Sequence, residues 1–168
     1  GNSNLAAPTI NLINTANSFG GGVTVNATQQ ATVNASGDLL LGGNAAALTV
    51  TAQNELNLSN SMLGSLNAAA QQIGQSAAVS VRGPTVLVAQ GATLLDEGND
   101  FNGTVTLNVA GQASIADTNN LLIQGTAQTL TTSVVGTLTA GELSIANGTL
   151  IAGEINVNQL EVANSAEL

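Results

Sequence analysis

Apolar and polar residues alternate with a period of two in short runs along most of the chain. This period is that of a β-strand with one buried face, so the pattern predicts many short strands. Clusters of Gly, Asn, Ser and Asp at 36–38, 42–44, 96–100 and 147–148 separate the runs and predict turns. The alternating pairs include Val23/Val25, Leu48/Val50, Leu56/Leu58, Val79/Val81, Val86/Val88, Val105/Leu107, Leu121/Ile123, Leu143/Ile145, Ile155/Val157 and Leu160/Val162.

One segment, Leu63–Ile73, has a different spacing. Four of its apolar residues would share one face of a helix. It is therefore the one candidate for a short helix or for a loop that bulges from the stack, although strands remain the favoured interpretation of this segment.

The chain contains an internal repeat, in which position 16 corresponds to position 98. Segment 16–26 aligns without a gap with segment 98–108, and eleven positions are identical between 16–43 and 98–125. Two such copies nearly account for the 168 residues, so we predict one continuous structure made of a first repeat, 1–86, and a second repeat, 87–168, each with about four turns. The matched signature positions are Asn17/Asn99, Phe19/Phe101, Gly21/Gly103 and Val23/Val105.

Composition favours a coiled stack of strands over a β-sandwich. The chain has two Phe and no Trp or Tyr, although 43% of its residues are hydrophobic. A sandwich recruits aromatic residues from two sheets, whereas a coil encloses a narrow interior that small aliphatic residues fill. We therefore predict an all-β fold, a parallel β-helix (β-solenoid) of about eight turns of roughly 20 residues each. Asn side chains at its corners are expected to hydrogen-bond to Asn in the next turn.

The two phenylalanines occupy the same place in both copies, next to Gly and just before a predicted strand. This placement favours packing at a corner of the coil over exposed anchors for a ligand. We also expect the copies to stack in matching phase, so that Asn99 and Phe101 repeat the positions of Asn17 and Phe19 around the coil.

The charge and residue types limit the partners and the chemistry. The net charge is −9, whereas binding of nucleic acid or anionic lipid requires Lys and Arg. We therefore expect neither nucleic acid nor an anionic lipid surface as a partner. No run of about eighteen apolar residues is present, so we expect no insertion into a membrane. Without His or Cys the chain has no imidazole base, thiolate or ordinary zinc ligand, and we expect no enzymatic activity.

Asp96, Glu97 and Asp100 form the densest acidic cluster of the chain. Three carboxylates beside an Asn carbonyl are ligands that Ca²⁺ prefers, so a calcium site is one interpretation. The spacing matches neither an EF-hand nor the glycine-rich calcium nonapeptide. The other interpretation is a solvated corner closed by Asx turns, without a metal or cofactor.

Residues 98–107 resemble the NDFxGxV signature in the repeats of filamentous-haemagglutinin-like bacterial surface adhesins and exoproteins. The first copy is a degenerate version, in which Ser18 stands in the place of Asp100. Ala35 likewise stands in the place of Asp117. The resemblance implies a right-handed β-helix exported to the surface of a Gram-negative cell, with roles in attachment, biofilm cohesion or a stalk, and no catalytic residue.

These observations predict a non-enzymatic, rod-like structural segment of an extracellular bacterial adhesin or filament. The expected partners are further solenoid repeats or copies of the chain end to end, together with host-cell or matrix glycans or proteins. One alternative is a self-assembling extracellular fibre subunit. Another is a carbohydrate-binding or carbohydrate-active β-helix that would use carboxylates such as Asp96 and Asp100. Because the chain begins Gly1-Asn2, we expect a processed or excised segment, with any export signal lying outside it.

Overall fold

The computed structural model describes residues 1–167, which form β-strands joined by short turns and no helix. Within these residues, no helix is long and apolar enough to cross a membrane. The strands are β1 (Ser3–Leu12), β2 (Val23–Ala35), β3 (Leu39–Ala52), β4 (Glu55–Leu63), β5 (Leu66–Ala69), β6 (Gln72–Gln75), β7 (Val79–Val81), β8 (Thr85–Ala89), β9 (Gly91–Leu94), β10 (Asp100–Phe101), β11 (Thr104–Val109), β12 (Gln112–Asp117) and β13 (Leu121–Glu167).

The strands pair in parallel, each with the strands one turn earlier and one turn later. The sequence separation of two register partners is the length of one turn. It is short between Gln30 and Ala47 and longer between Thr9 and Gln30. One line of register partners runs through Ile10, Ala31, Leu48, Leu66, Thr85, Val105 and Ile123.

The long strand β13 continues the coil, since the Thr137 hydroxyl lies 3.5 Å from the carboxylate of Glu154, 17 residues away. The fold is thus a β-solenoid of about seven turns. This architecture confirms the predicted all-β parallel β-helix.

A narrow aliphatic core runs through the coil from Ile10 to Leu150. In β2, Val23, Val25 and Ala27 are buried, and the residues between them are exposed or half-buried. Neighbouring turns lie about 4.8 Å apart, so each buried side chain packs on its register partners in both directions. The period of two predicted from the sequence is therefore the period of burial.

Leu63–Ile73 forms paired strands, so neither a short helix nor a bulging loop is found there. The segment contains β5 and the start of β6, with Leu66 and Ile73 buried. Leu66 pairs with Leu48 in one neighbouring turn and with Thr85 in the other. Backbone pairing on both sides outweighs the helical spacing of the side chains.

The sequence repeat does not equal a whole number of turns. Register partners lead from Ala31 to Val105 in four steps, so four turns end at Val105 when they start at Ala31. The sequence repeat instead aligns Val105 with Val23, which lies eight positions before Ala31. The second copy is therefore rotated around the coil relative to the first, and the expected stacking in matching phase is wrong. The physical reason is that four turns of this coil use less chain than one sequence repeat contains.

Two glycines with positive φ mark the same bend in each copy. Gly43 has φ 114° and Gly125 has φ 103°, and the two are aligned by the sequence repeat. A Cβ on Gly43 would collide with the Val25 carbonyl of the neighbouring turn, and a Cβ on Gly125 with the Leu107 carbonyl. Both the backbone angle and the close approach require Gly. The copies thus share a local fold although they occupy different sides of the coil.

Candidate functional site

The signature asparagine forms the same turn in both copies, and we call the segments 14–19 and 96–101 the asparagine corners. The N–H groups of Asn17 and Asn99 donate to the carbonyl three residues earlier, at 3.2 and 3.1 Å. The side-chain Nδ2 of each donates to the carbonyl five residues earlier, at 3.1 Å. The carbonyls of Asn17 and Asn99 both accept an N–H from the next turn at 2.8 Å. The repeat therefore encodes a defined backbone turn.

Asn99 is fully buried, and its side chain makes four hydrogen bonds. Its Oδ1 accepts from the Val79 N–H and from Gln75 Nε2, both at 2.9 Å. Its Nδ2 donates to Gln75 Oε1 at 2.9 Å and to the Leu94 carbonyl at 3.1 Å. An Asn amide has two donors and two acceptor lone pairs, so this side chain is satisfied within the protein. Its role is to tie one turn to the previous one.

The two signature phenylalanines differ in burial. Phe101 is 1% exposed and lies in register with Val81. Phe19 is half-buried and packs against the edge of the same core. Because Phe101 belongs to the register line of Val81 and Leu63, it does not lie above Phe19 along the coil.

The signature glycines lie where two turns approach each other closely. A Cβ on Gly21 would lie 2.7 Å from the Gly1 carbonyl oxygen, and a Cβ on Gly103 would overlap the Gly83 carbonyl. Either contact would push the turns apart, so the signature requires Gly at this position. The signature valines that follow, Val23 and Val105, are fully buried and belong to the core.

Asp117 is the one buried ionisable side chain among residues 1–167, and sequence reasoning gave it no role. Its Oδ2 accepts the Phe101 N–H at 2.7 Å, and its Oδ1 accepts the Asn119 N–H at 2.8 Å. Burial raises the pKa of Asp117; these two hydrogen bonds act against that rise, and the charge of Asp100 adds to it. The sequence feature that could have identified Asp117 is its place as an acid at the end of an apolar run, where the first copy has Ala35.

Asp100 is held by amide groups of its own turn and the next one. Its Oδ1 accepts from Asn102 Nδ2 at 2.7 Å and from Asn119 Nδ2 at 2.6 Å. Its Oδ2 lies 3.5 Å from the Ser80 hydroxyl of the previous turn. The carboxylate therefore links three successive turns at one edge of the corner.

The structure does not bring Asp96, Glu97 and Asp100 together into one group of carboxylates. Across residues 1–167, no three His, Cys, Asp or Glu side chains are grouped so that they could hold a metal ion. Asp96 accepts the N–H of Gly98 at 2.9 Å and closes an Asx turn, and Glu97 is exposed. These contacts are those of a polar corner closed by an Asx turn.

An outward-facing ladder of asparagines connects the first turns. Asn26 Nδ2 donates to Asn4 Oδ1 at 3.3 Å, and Asn44 Nδ2 donates to Asn26 Oδ1 at 3.2 Å. Asn residues of neighbouring turns thus do hydrogen-bond to each other, but they lie within β1, β2 and β3 and not at the corners where these bonds were expected. The ladder ends at Met62, the register partner of Asn44, whose side chain is 62% exposed.

Two shallow grooves flank Met62. One is lined in part by Ala27, Leu63 and Arg82, the only Lys or Arg of the chain. The other is lined by side-chain amides and hydroxyls that include Asn26. Neither lining contains a carboxylate, so these grooves offer apolar contact and hydrogen bonds but no acid–base pair.

Comparison with known protein families gives a match to part of the chain. Residues 43–108 are similar to a family described as repeats of unknown function (DUF5649). The matched region begins at the Gly43 bend and ends inside β11, so it includes the second asparagine corner. Neither a curated protein nor a solved structure matches the chain. The family match and the stacked parallel turns together identify the chain as a repeat protein with a β-solenoid fold.

Proposed function

We propose that the chain is a non-enzymatic structural segment in the shaft of an extracellular bacterial adhesin or filament. In this role it spans distance and presents its outer surface to partners. The observation that carries the proposal is the stack of parallel turns around one aliphatic core that runs from Ile10 to Leu150.

The energetics of the stack suit a shaft. Every inner turn shares backbone hydrogen bonds with two neighbours, and its buried side chains extend the same core. Seven turns at about 4.8 Å each span roughly 30 Å along the axis. Additional turns would lengthen such a rod without changing its cross-section, because each turn contacts only its neighbours.

A location at the surface of a Gram-negative cell is supported by the resemblance of residues 98–107 to adhesin repeats. The absence of Cys and the net charge of −9 are compatible with that location. Like charge on neighbouring rods opposes sideways association and keeps long solenoids dispersed.

The partners in this proposal are further turns at both ends. Leu5, Ala7 and Leu12 in the first turn are only partly buried, and so are Ile155 and Leu160 near the other end. A further turn of the same kind at either end would cover these apolar side chains. We assign that place to flanking repeats, and host-cell or matrix glycans or proteins to the outer surface.

Immunogold labelling tests the location. Antibodies raised against the purified chain should label the outside of intact cells of the source bacterium. Treatment of the cells with a protease that does not enter them should remove the label. A control antibody against a cytoplasmic protein should give signal only after permeabilisation. If the solenoid antibody behaves like that control, the extracellular shaft is wrong.

A second candidate is a fibre subunit that assembles end to end, and the partly buried residues at the two ends favour it. Light scattering at increasing concentration of the purified chain measures such assembly. Leu5→Lys would place a charge in the apolar end and should abolish the assembly. Asn11→Lys adds the same charge on the exposed face of β1 and should leave it intact. A chain that stays monomeric at high concentration rules out the fibre and leaves the shaft proposal in place.

A further inference from the structure

The chain contains two Asn-Gly dipeptides, Asn102-Gly103 and Asn147-Gly148. Asn followed by Gly is the dipeptide most prone to spontaneous deamidation. The Gly nitrogen carries no neighbouring side chain, so it reaches the carbonyl carbon of the Asn side chain with little hindrance. The reaction requires the backbone to leave the extended conformation of a paired strand. The structure therefore decides which of the two dipeptides reacts.

The two dipeptides lie in different environments. Asn102 and Gly103 lie outside the strands, in the gap between β10 and β11, and the Asn102 side chain is exposed. Asn147 and Gly148 lie inside β13 and are half-buried. Asn102 is held to the previous turn by one backbone hydrogen bond, from its N–H to the Val81 carbonyl at 2.9 Å. A dipeptide inside a continuous strand must first be released by local opening of the ladder, which breaks more backbone hydrogen bonds than release of this corner does.

Gly103 cannot be replaced by another residue without disturbing the coil, so a substitution of this glycine cannot remove the reactive dipeptide. A Cβ on Gly103 would overlap the backbone of Gly83 in the previous turn. The corresponding glycine of the first copy, Gly21, follows Gly20, so the first copy has no Asn at the position of Asn102. The combination of a required glycine with a preceding Asn is specific to the second asparagine corner.

We propose that Asn102 is a site of spontaneous deamidation in the folded protein. The backbone nitrogen of Gly103 loses its proton and attacks Cγ of Asn102, and the Nδ2 group leaves as ammonia. The resulting succinimide is then opened by one water molecule. Opening at one carbonyl gives Asp, and opening at the other gives isoaspartate with the chain continuing through the side chain.

The modification would change the second corner. Asn102 Nδ2 now donates to Asp100 Oδ1 at 2.7 Å, and that donor is lost with the ammonia. A new carboxylate appears beside Asp100, which would keep only the Asn119 amide at 2.6 Å on this oxygen. Two like charges at one corner weaken it, and the extra methylene of isoaspartate would displace the start of β11.

Peptide mapping by mass spectrometry of the aged full-length chain tests the proposal. The chain is incubated in mildly alkaline buffer, and the deamidated fractions at Asn102 and Asn147 are followed over time. Asn102 should react about tenfold faster or more, because release of a paired strand lowers the reactive population by at least that factor. The same incubation in denaturant should bring the two rates together, since both dipeptides are then equally accessible.

Two variants complete the experiment. Asn102→Gln keeps a side-chain amide but forms the larger ring slowly, so it should remain intact under conditions that modify the natural chain. Asn102→Asp should reproduce the added charge of the aged protein in an isoelectric-focusing gel. Equal rates at Asn102 and Asn147 in the folded chain would overturn the proposal. It would also be overturned by an Asn102 that stays intact while the denatured chain reacts.

Discussion

The two asparagine corners begin from the same signature and reach different degrees of burial. In the second corner Asn99 is fully buried with four side-chain hydrogen bonds, and Phe101 is part of the core. In the first corner Asn17 and Phe19 are half-buried, and the Asn17 side chain donates to two carbonyls. Both corners have the same backbone turn, so the local sequence determines that turn. The neighbouring turns of the coil determine how much each corner contributes to stability.

The neighbours of the second corner account for the difference. Gln75 and Val79, one turn earlier, bind the Asn99 amide, and Asp117, one turn later, binds the Phe101 N–H. The first corner belongs to the first turn, and the next turn offers it Ala35 where the second corner has Asp117. Substitutions at equivalent positions of the two corners should therefore have unequal effects.

The largest expected effect comes from the phenylalanines. Phe101→Ala should lower the free energy of unfolding by about 3–5 kcal/mol, since it opens a cavity in the core. Phe19→Ala removes a half-buried ring and should lower it by about 1 kcal/mol. Urea denaturation of both variants measures the two values. Equal losses of unfolding free energy would show that the difference in burial between Phe101 and Phe19 does not affect stability.

The asparagines give the next effect. Asn99→Ala leaves buried groups of Gln75, Val79 and Leu94 without a partner, at a cost of about 3 kcal/mol. Asn17→Ala removes hydrogen bonds at a half-buried corner, where water can replace the lost donor, and should cost about 1 kcal/mol. Hydrogen exchange should show faster exchange of the Val79 N–H in the Asn99 variant. An unchanged Val79 N–H would contradict the role of Asn99 as a tie between turns.

Asp117→Asn tests the buried carboxylate and its titration. An amide has one acceptor oxygen, so either the Phe101 or the Asn119 N–H loses its partner, which costs about 2 kcal/mol at neutral pH. Because burial raises the pKa of Asp117 above its ordinary value of 3.8, the folded chain binds a proton that the unfolded chain has already released. This contribution to stability is present at low pH and is lost as the pH rises through the raised pKa.

The difference in unfolding free energy between the natural chain and Asp117→Asn should therefore widen on acidification. Denaturation curves at several pH values, from neutral to about pH 4, measure it. The variant serves as the control for all other titrating groups, because they are common to both proteins. A difference that narrows on acidification would contradict a raised pKa.

The smallest effect should be a gain in stability. Thr85 is fully buried and its hydroxyl has no hydrogen-bond partner, whereas its counterpart in the first copy, Ser3, is half-buried. Thr85→Val keeps the shape, removes the unpaired hydroxyl and should raise the unfolding free energy by about 1 kcal/mol. Thr93→Val, on the exposed face of β9, is the matched control and should change little. A loss of stability in Thr85→Val would indicate a hydrogen bond to that hydroxyl.

Much of the fold was predictable because burial follows a local pattern. Alternation at positions such as Val23 and Val25 predicted strands, and the scarcity of aromatic residues predicted a narrow core. Leu63–Ile73 has the side-chain spacing of a helix and yet forms strands, because this spacing carries no information on backbone partners in neighbouring turns. Of the site residues, the signature positions were found by repetition, whereas Asp117 was not, because its partner Phe101 becomes its neighbour only after the chain has completed a turn.

The sequence by itself determined the strands, the corners and the glycines that the bends require, because these depend on residues close together in the chain. The tertiary structure alone decided how the copies are placed around the axis. Turn length varies along the coil, and Val105 lies four turns after Ala31 in the register of the strands. In the sequence repeat, Val105 corresponds instead to Val23. Register depends on the summed length of successive turns, and no local pattern of apolar and polar residues determines that length.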